Sequence, residues 1–246
     1  MIKTIGITSS LNEGVNKVNE KYIKAFTTDR TIPLIIPVFN VRSSELFTVN
    51  DMAYLRGIVD NIESKLDALV LTGGNDLNPV SLGGTFEKAT YTNYGRDLLE
   101  KELLRKFIYV GKPVIGICRG FQLLGVLRGL KLSQELVIKE GDEIHNGLSL
   151  ELERRVEPVH EVEVLGDFLK WLGNDKIKVN SWHHQGFTID QNNFDFAKEG
   201  LEIIAKTGNV IEGFRDLEGP IVGFQWHPEE YENSWTIKYI IERYLS

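Results

Sequence analysis

The sequence predicts an α/β fold with a mostly parallel central sheet, helices on both of its faces, and an antiparallel extension in the C-terminal half. Three observations predict it. Short apolar, β-branched runs alternate with longer segments of helical period up to about residue 130, the pattern of strands joined by crossover helices. Those intervening segments supply the dozen or more residues that a parallel crossover needs. Beyond about residue 135 the period shortens to two and the runs follow one another as in hairpins, which marks antiparallel pairing.

Element by element, residues 2–8 form the first apolar run. Residues 18–29 carry Tyr22, Ile23 and Phe26 at helical spacing. Residues 31–37 are β-branched and apolar, with Pro33 and Pro37 at the ends of a second strand. Residues 49–66 read as a helix, and Ala68-Leu69-Val70-Leu71 as a buried strand stopped by Thr72-Gly73-Gly74-Asn75. A long helix over 93–110 leads to an apolar strand over 112–117, followed at once by a helix over 119–130. Later strands are expected at 160–165, 176–180, 203–207, 210–214 and 221–225, and a closing helix at 234–245. In parallel sheets ligands bind beyond the carboxyl ends of the strands. The turns after Leu71 and Ile117 are therefore expected to face one crevice.

Composition narrows the function. The formal net charge of −7 opposes binding to nucleic acid and to anionic membranes. No apolar run reaches the ~20 residues needed to span a bilayer. The first residues lack the apolar core and cleavage site of a secretory signal. A lone cysteine, Cys118, excludes an internal disulfide and a Cys-rich metal site. The expectation is a cytoplasmic protein without metal or cofactor. No stretch rich in Pro, Gly or Ser divides the chain, so residues 1–246 read as one domain.

The most informative segment is Pro113-Val114-Ile115-Gly116-Ile117-Cys118-Arg119-Gly120-Phe121-Gln122. An apolar strand runs into Gly-x-Cys-x-Gly and then a helix, the elbow that lifts a nucleophile into view. Gly116 and Gly120 allow close backbone approach on either side of Cys118. A thiol before a helix N-terminus feels the positive end of the helix dipole, which favours the thiolate. A buried structural cysteine is the alternative, but it gives no reason for glycines on both sides.

A thiolate nucleophile needs a histidine to manage protons and a third group to hold that histidine. Of His145, His160, His183, His184 and His227, the last stands just past the strand 221–225, in Gln225-Trp226-His227-Pro228-Glu229. It is expected at the same strand-end crevice as Cys118. Glu229, two residues on in an extended stretch, is placed to turn back to one ring nitrogen and leave the other for the thiol. His145 and His160 read as structural.

Gly116-Ile117-Cys118-Arg119-Gly120-Phe121-Gln122 followed by Gln225-Trp226-His227-Pro228-Glu229 resembles the class I glutamine amidotransferase family, and within it the γ-glutamyl hydrolase branch that includes γ-glutamyl-γ-aminobutyrate hydrolases. Supporting segments are Leu71-Thr72-Gly73-Gly74-Asn75-Asp76, Arg96-Asp97-x-x-Glu100 and Val179-Asn180-Ser181-Trp182-His183-His184-Gln185. The resemblance implies a flavodoxin-like three-layer sandwich and a Cys118-His227-Glu229 triad. Two departures, Gly129-Leu130-Lys131-Leu132 after the nucleophile helix and Gly208-Asn209 before a late strand, leave the substrate open.

The oxyanion of an attacked amide needs preorganised donors. The elbow offers the N–H of Arg119, and the turn after Leu71 offers a second donor, which the resemblance assigns to Gly74. Gln122, one turn beyond Cys118, shares its face of the helix; the resemblance implies contact with the substrate's glutamyl end. His183 and His184, if extended, point opposite ways, and His184 is the expected pocket residue. Arg96, with Asp97 and Glu100, is placed either to meet the α-amino and α-carboxylate groups of a γ-glutamyl substrate or to form a charge network at a helix start. The expected reaction is hydrolysis of a small-molecule γ-glutamyl amide through a thioester. A glutaminase subunit feeding ammonia to a separate synthase, a homo-oligomer, and an inactive binding protein on the same fold stay open.

Overall fold

The computed structural model describes residues 1–12, 14–38, 49–89, 91–136, 157–193 and 195–246. His145 lies outside them. The first strand, β1 (Lys3–Thr8), is followed by a polar hairpin, β2 (Ser10–Asn12) and β3 (Val15–Lys17). Then come α1 (Glu20–Phe26), β4 (Thr31–Ile36), α2 (Val49–Glu63), β5 (Ala68–Leu71), α3 (Tyr94–Val110), β6 (Val114–Ile117) and α4 (Arg119–Leu127). The second half adds β7 (His160–Val164), α5 (Gly166–Leu172), β8 (Lys176–Val179), β9 (Phe187–Thr188), β10 (Leu201–Thr207), β11 (Val210–Asp216), β12 (Ile221–Phe224) and α6 (Trp235–Tyr244).

The main sheet runs β4-β1-β5-β6-β12-β11-β10-β7-β8, with β9 paired to β11. From β4 to β12 every pairing is parallel; from β12 to β8 every pairing is antiparallel. Numbered along the chain, the parallel strands stand in the order 2-1-3-4-5, the flavodoxin-like arrangement that places ligands at the carboxyl ends of its strands. The expected fold class is observed, including the antiparallel C-terminal extension.

Strand residues alternate between two cores, as the pleat dictates. Ile5, Ile7, Ala68, Val70, Ile115, Ile117, Val222 and Phe224 face Tyr22 and Phe26 of α1, Phe168 of α5 and Tyr239 of α6. Leu69, Leu71, Val114 and Ile221 face Leu55 and Val59 of α2, Leu103 and Phe107 of α3, and Phe121 and Leu124 of α4. These two apolar cores make the three layers.

The ends of the helices follow local chemistry. Asn19 accepts the Lys21 N–H and starts α1 at Glu20, two residues later than the periodicity predicts. Asn93 accepts the Arg96 N–H at 3.0 Å and starts α3. α3 stops at Gly111, whose φ of 71° a glycine adopts without strain. Among the described residues no helix is long and apolar enough to cross a membrane.

Candidate active site

The carboxyl ends of β5, β6 and β12 open onto a crevice of about 430 Å³, large enough for a small organic ligand. Its walls include Tyr22, Gly73, Gly74, Cys118, Gln122, Trp182, His183, His184, His227 and Glu229. Segments distant in sequence meet there because the parallel strands end together.

Cys118 sits between β6 and α4 with φ 52° and ψ −108°, a conformation that costs a non-glycine residue roughly 1–3 kcal/mol. The surroundings enforce it. A β-carbon on Gly116 would lie 2.8 Å from the Gly120 carbonyl carbon and oxygen, and one on Gly120 would lie 2.2 Å from the Leu71 carbonyl oxygen. Both glycines are therefore steric requirements of the turn. The Cys118 N–H donates to the Phe224 carbonyl at 2.8 Å, which ties the elbow to β12. The side chain is buried but borders the crevice.

The His227 imidazole borders the same crevice as Cys118 and, through Nδ1, is hydrogen-bonded to Glu229 Oε1 at 2.7 Å. Burial works against its protonation, but the Glu229 carboxylate and the Cys118 side chain outweigh it and hold the imidazole pKa well above its ordinary value. Glu229 is not in an extended stretch as expected. Pro228–Glu230 forms a 3-10 turn; proline at its start fixes φ in the helical range, and the turn swings the carboxylate back onto the ring. An imidazole between a thiol and a buried carboxylate can take the thiol proton and return it to a leaving group.

One bracing residue has no local signal. Asn180, just past β8, accepts the His227 N–H at 2.9 Å and donates to the His227 carbonyl at 3.0 Å. It pins the backbone beneath the imidazole, and the Trp182 ring stands against the imidazole at 6.2 Å and 64°. The pairing joins chain segments 47 residues apart, so spacing alone could not reveal it.

In the loop after β5, the Gly73 N–H is spent on the Tyr22 hydroxyl at 2.9 Å. Gly74 follows at φ 147° and borders the crevice; its N–H is the next donor along. Arg119 starts α4, so its N–H is one of the unpaired donors of a helix N-terminus. Its side chain turns away and binds Asp97 and Glu100 behind the elbow.

Arg96 is built into a buried charge network at the start of α3. Its guanidinium is buried, with Nε on Glu100 Oε1 at 2.9 Å and one terminal nitrogen on the Thr72 and Gly73 carbonyls at 2.9 and 3.1 Å. It backs the glycine loop and does not border the crevice. The charge network, one of the two readings open in the sequence, is present, and the other terminal nitrogen, Nη1, is buried without a hydrogen-bond partner among the described residues. Burial raises the Asp97 pKa; for Glu100 burial is outweighed by Arg119 and Arg96, and its pKa is lowered.

Gln122 borders the crevice and donates from Nε2 to the Gln185 carbonyl at 3.0 Å and to Gln225 Oε1 at 3.2 Å. His184 borders it as well, held between Asp76 at 2.9 Å and Glu135 at 3.3 Å. The hydrogen bond to Asp76, against some burial, raises its pKa. His183 also borders the crevice, contrary to the expectation that only one of the pair would, because the chain there is not a regular strand. Its Nδ1 bonds the Gln185 carbonyl at 2.9 Å. Among the described residues no group of three or more His, Cys, Asp or Glu could hold a metal ion.

Comparison with known proteins gives the family and the fold. The family model of peptidase C26 matches residues 3–229. A Mycobacterium tuberculosis protein that bears a glutamine amidotransferase name is 39% identical over 172 residues, 67% of this chain and 51% of that protein, so the match spans about half its length. The γ-glutamyl-γ-aminobutyrate hydrolase of Escherichia coli is 25% identical over 232 residues, 91% of this chain and 83% of that enzyme. The crystal structure of a glutamine amidotransferase from Thermotoga maritima shares the fold, with a TM-score of 0.54 at 16% identity over 99% of this chain and 82% of that one. Because the match runs from the first strand through the turn that carries Glu229, and so takes in every strand end that opens on the crevice, the chain belongs to the peptidase C26 family, with relatives named as hydrolases and amidotransferases.

Proposed function

We propose that the protein is a cysteine amidohydrolase that cleaves a γ-glutamyl amide into glutamate and an amine. The observation that carries this reading is the imidazole of His227, bonded through Nδ1 to Glu229 and sharing one crevice with Cys118, whose side chain helps to raise the imidazole pKa. The Cys118 sulfur attacks the γ-carbonyl carbon. The N–H groups of Gly74 and Arg119 receive the oxyanion. Imidazolium at His227 gives its proton to the departing amine, and a γ-glutamyl thioester stays on Cys118. His227 then takes a proton from water, which attacks the thioester; glutamate leaves and the sulfur regains its starting state. The raised His227 pKa supports the first half, because it keeps the proton available for the amine.

The γ-glutamyl specificity draws on the named relative in Escherichia coli and on a crevice that offers Gln122, His183 and His184 beside Cys118. The expected substrate is a conjugate such as γ-glutamyl-γ-aminobutyrate. The alternative is a glutaminase subunit that passes ammonia to a separate synthase, a reading that the amidotransferase names of other relatives favour. A panel of γ-glutamyl amides with free glutamine included, scored for glutamate release, tests both. Release from conjugates by the chain alone supports the hydrolase. Turnover of glutamine that needs an added synthase supports the subunit. Full activity of Cys118→Ala refutes both.

A further inference from the structure

Tyr22 comes from α1, far from the strand-end loops in sequence, yet its hydroxyl lies among them. It is buried, borders the crevice, and accepts the Gly73 N–H at 2.9 Å. A β-carbon on Gly73 would lie 3.1 Å from the Tyr22 hydroxyl, 2.6 Å from His227 Cε1 and 3.5 Å from Cys118 Cβ. Phenol, imidazole and thiol side chain thus converge on one α-carbon. The start of α1 is also fastened to the turn that carries Glu229: Asn19 Nδ2 donates to Glu230 Oε1 at 3.2 Å, and Lys21 pairs with the same carboxylate.

A phenol that accepts one hydrogen bond still has a proton to give. Glu229 Oε2 is buried and has no hydrogen-bond partner among the described residues, a costly state for a carboxylate oxygen. Burial, and then the Glu229 carboxylate, keep the phenol pKa well above its ordinary value, so the proton stays on Tyr22.

We propose that Tyr22 is a positioning residue for the reaction: its hydroxyl accepts the Gly73 N–H and offers its proton to Glu229 Oε2, so that one side chain holds both the loop presenting the Gly74 N–H and the carboxylate that orients His227. The inference rests on the reading of Cys118 as nucleophile. With Gly73 held, Gly74 has a set direction. With a second donor, Glu229 cannot swing off Nδ1. Both effects act where charge develops, on the oxyanion and on the imidazolium, and neither adds a contact to the bound substrate. The loss belongs in kcat and not in KM.

Tyr22→Phe removes one oxygen and keeps the ring in its apolar pocket. The full-length variant is assayed on a γ-glutamyl anilide, with intact sites counted by labelling Cys118 to completion with a glutamine-analogue electrophile. Expected is a kcat per labelled site lower by on the order of 10–100-fold, less than loss of a direct oxyanion donor, with KM within about threefold and the labelled fraction and Tm unchanged. A merely structural tyrosine would lower Tm and the labelled fraction while kcat per labelled site held. That result, a kcat within about twofold of the parent, or a change in KM alone would overturn the proposal. Cys118→Ser run in parallel separates the two levels. Its full activity removes the nucleophile reading itself, whereas its inactivity beside an unimpaired Tyr22→Phe removes only the role of Tyr22.

Discussion

A β-carbon on Gly120 would stand 2.2 Å from the Leu71 carbonyl oxygen, a backbone atom with nowhere to go. Gly120→Ala must push α4 off the end of β5, at a cost of at least about 1–3 kcal/mol; reduced Tm and loss of Cys118 labelling together would show it. Glu229→Ala acts differently, since it removes the carboxylate that orients and charges His227. It should lower kcat by roughly 10²–10⁴-fold with a small change in KM, measured on whichever γ-glutamyl amide proves active. The pH dependence follows from the same contact. A histidine whose folded pKa is raised contributes stability that is complete below about 6.5 and is lost as pH rises through the raised value. Tm should therefore decline on the alkaline side, and Glu229→Gln should flatten the decline, because the carboxylate is the main influence opposing burial of the imidazole. The elbow of Cys118 and its glycines was legible in the sequence because its requirement is local: a strand, a tight turn and a helix written in consecutive residues. Arg96 was open because its role depends on Thr72 and Gly73, over twenty positions away. Asn180 stood in a segment that supported the resemblance, but nothing local gave its role, since its partner is the backbone of His227.

Elements rather than residues hold the two sides of the crevice together. α3 supplies Arg96, Asp97 and Glu100 from its first two turns, and these grip the loop after β5 and the side chain of Arg119 on α4. A buried network of this kind is costly to break from one side, because the orphaned charges stay buried. Arg119→Met keeps the backbone N–H but takes the guanidinium from Asp97 and leaves Glu100 with Arg96 alone. The expected loss is about 3–5 kcal/mol, a Tm drop on the order of 6–20 °C for a chain of this size, read by thermal denaturation. The strands and longer helices were evident from period and composition. The elements that were missed are those without such marks. α5 is short, and its N-cap Leu165 makes no side-chain capping bond. β2 and β3 are a few residues each, with β3 fully exposed, so neither shows an apolar alternation.

Across the whole molecule, the crevice joins residues from both halves of the chain, so an occupant should stabilise all of it at once. Saturating a site at a hundred times its Kd adds about 2.7 kcal/mol, and a covalent glutamyl adduct on Cys118 should do at least as well. The expected result is a single melting transition displaced upward after labelling, with Cys118→Ala showing no displacement. Separate, unshifted melting of one half would contradict a shared site. The change from parallel to antiparallel pairing at β12 has a further consequence. β6 and β12 are neighbours in the sheet, with Gly116 opposite Gly223, but more than a hundred residues apart in the chain. On a ribosome Cys118 emerges more than a hundred residues before His227. β12 lies between β6 and β11, so the edge on which Cys118 and His227 stand together is complete only after the last strand of the sheet has been made.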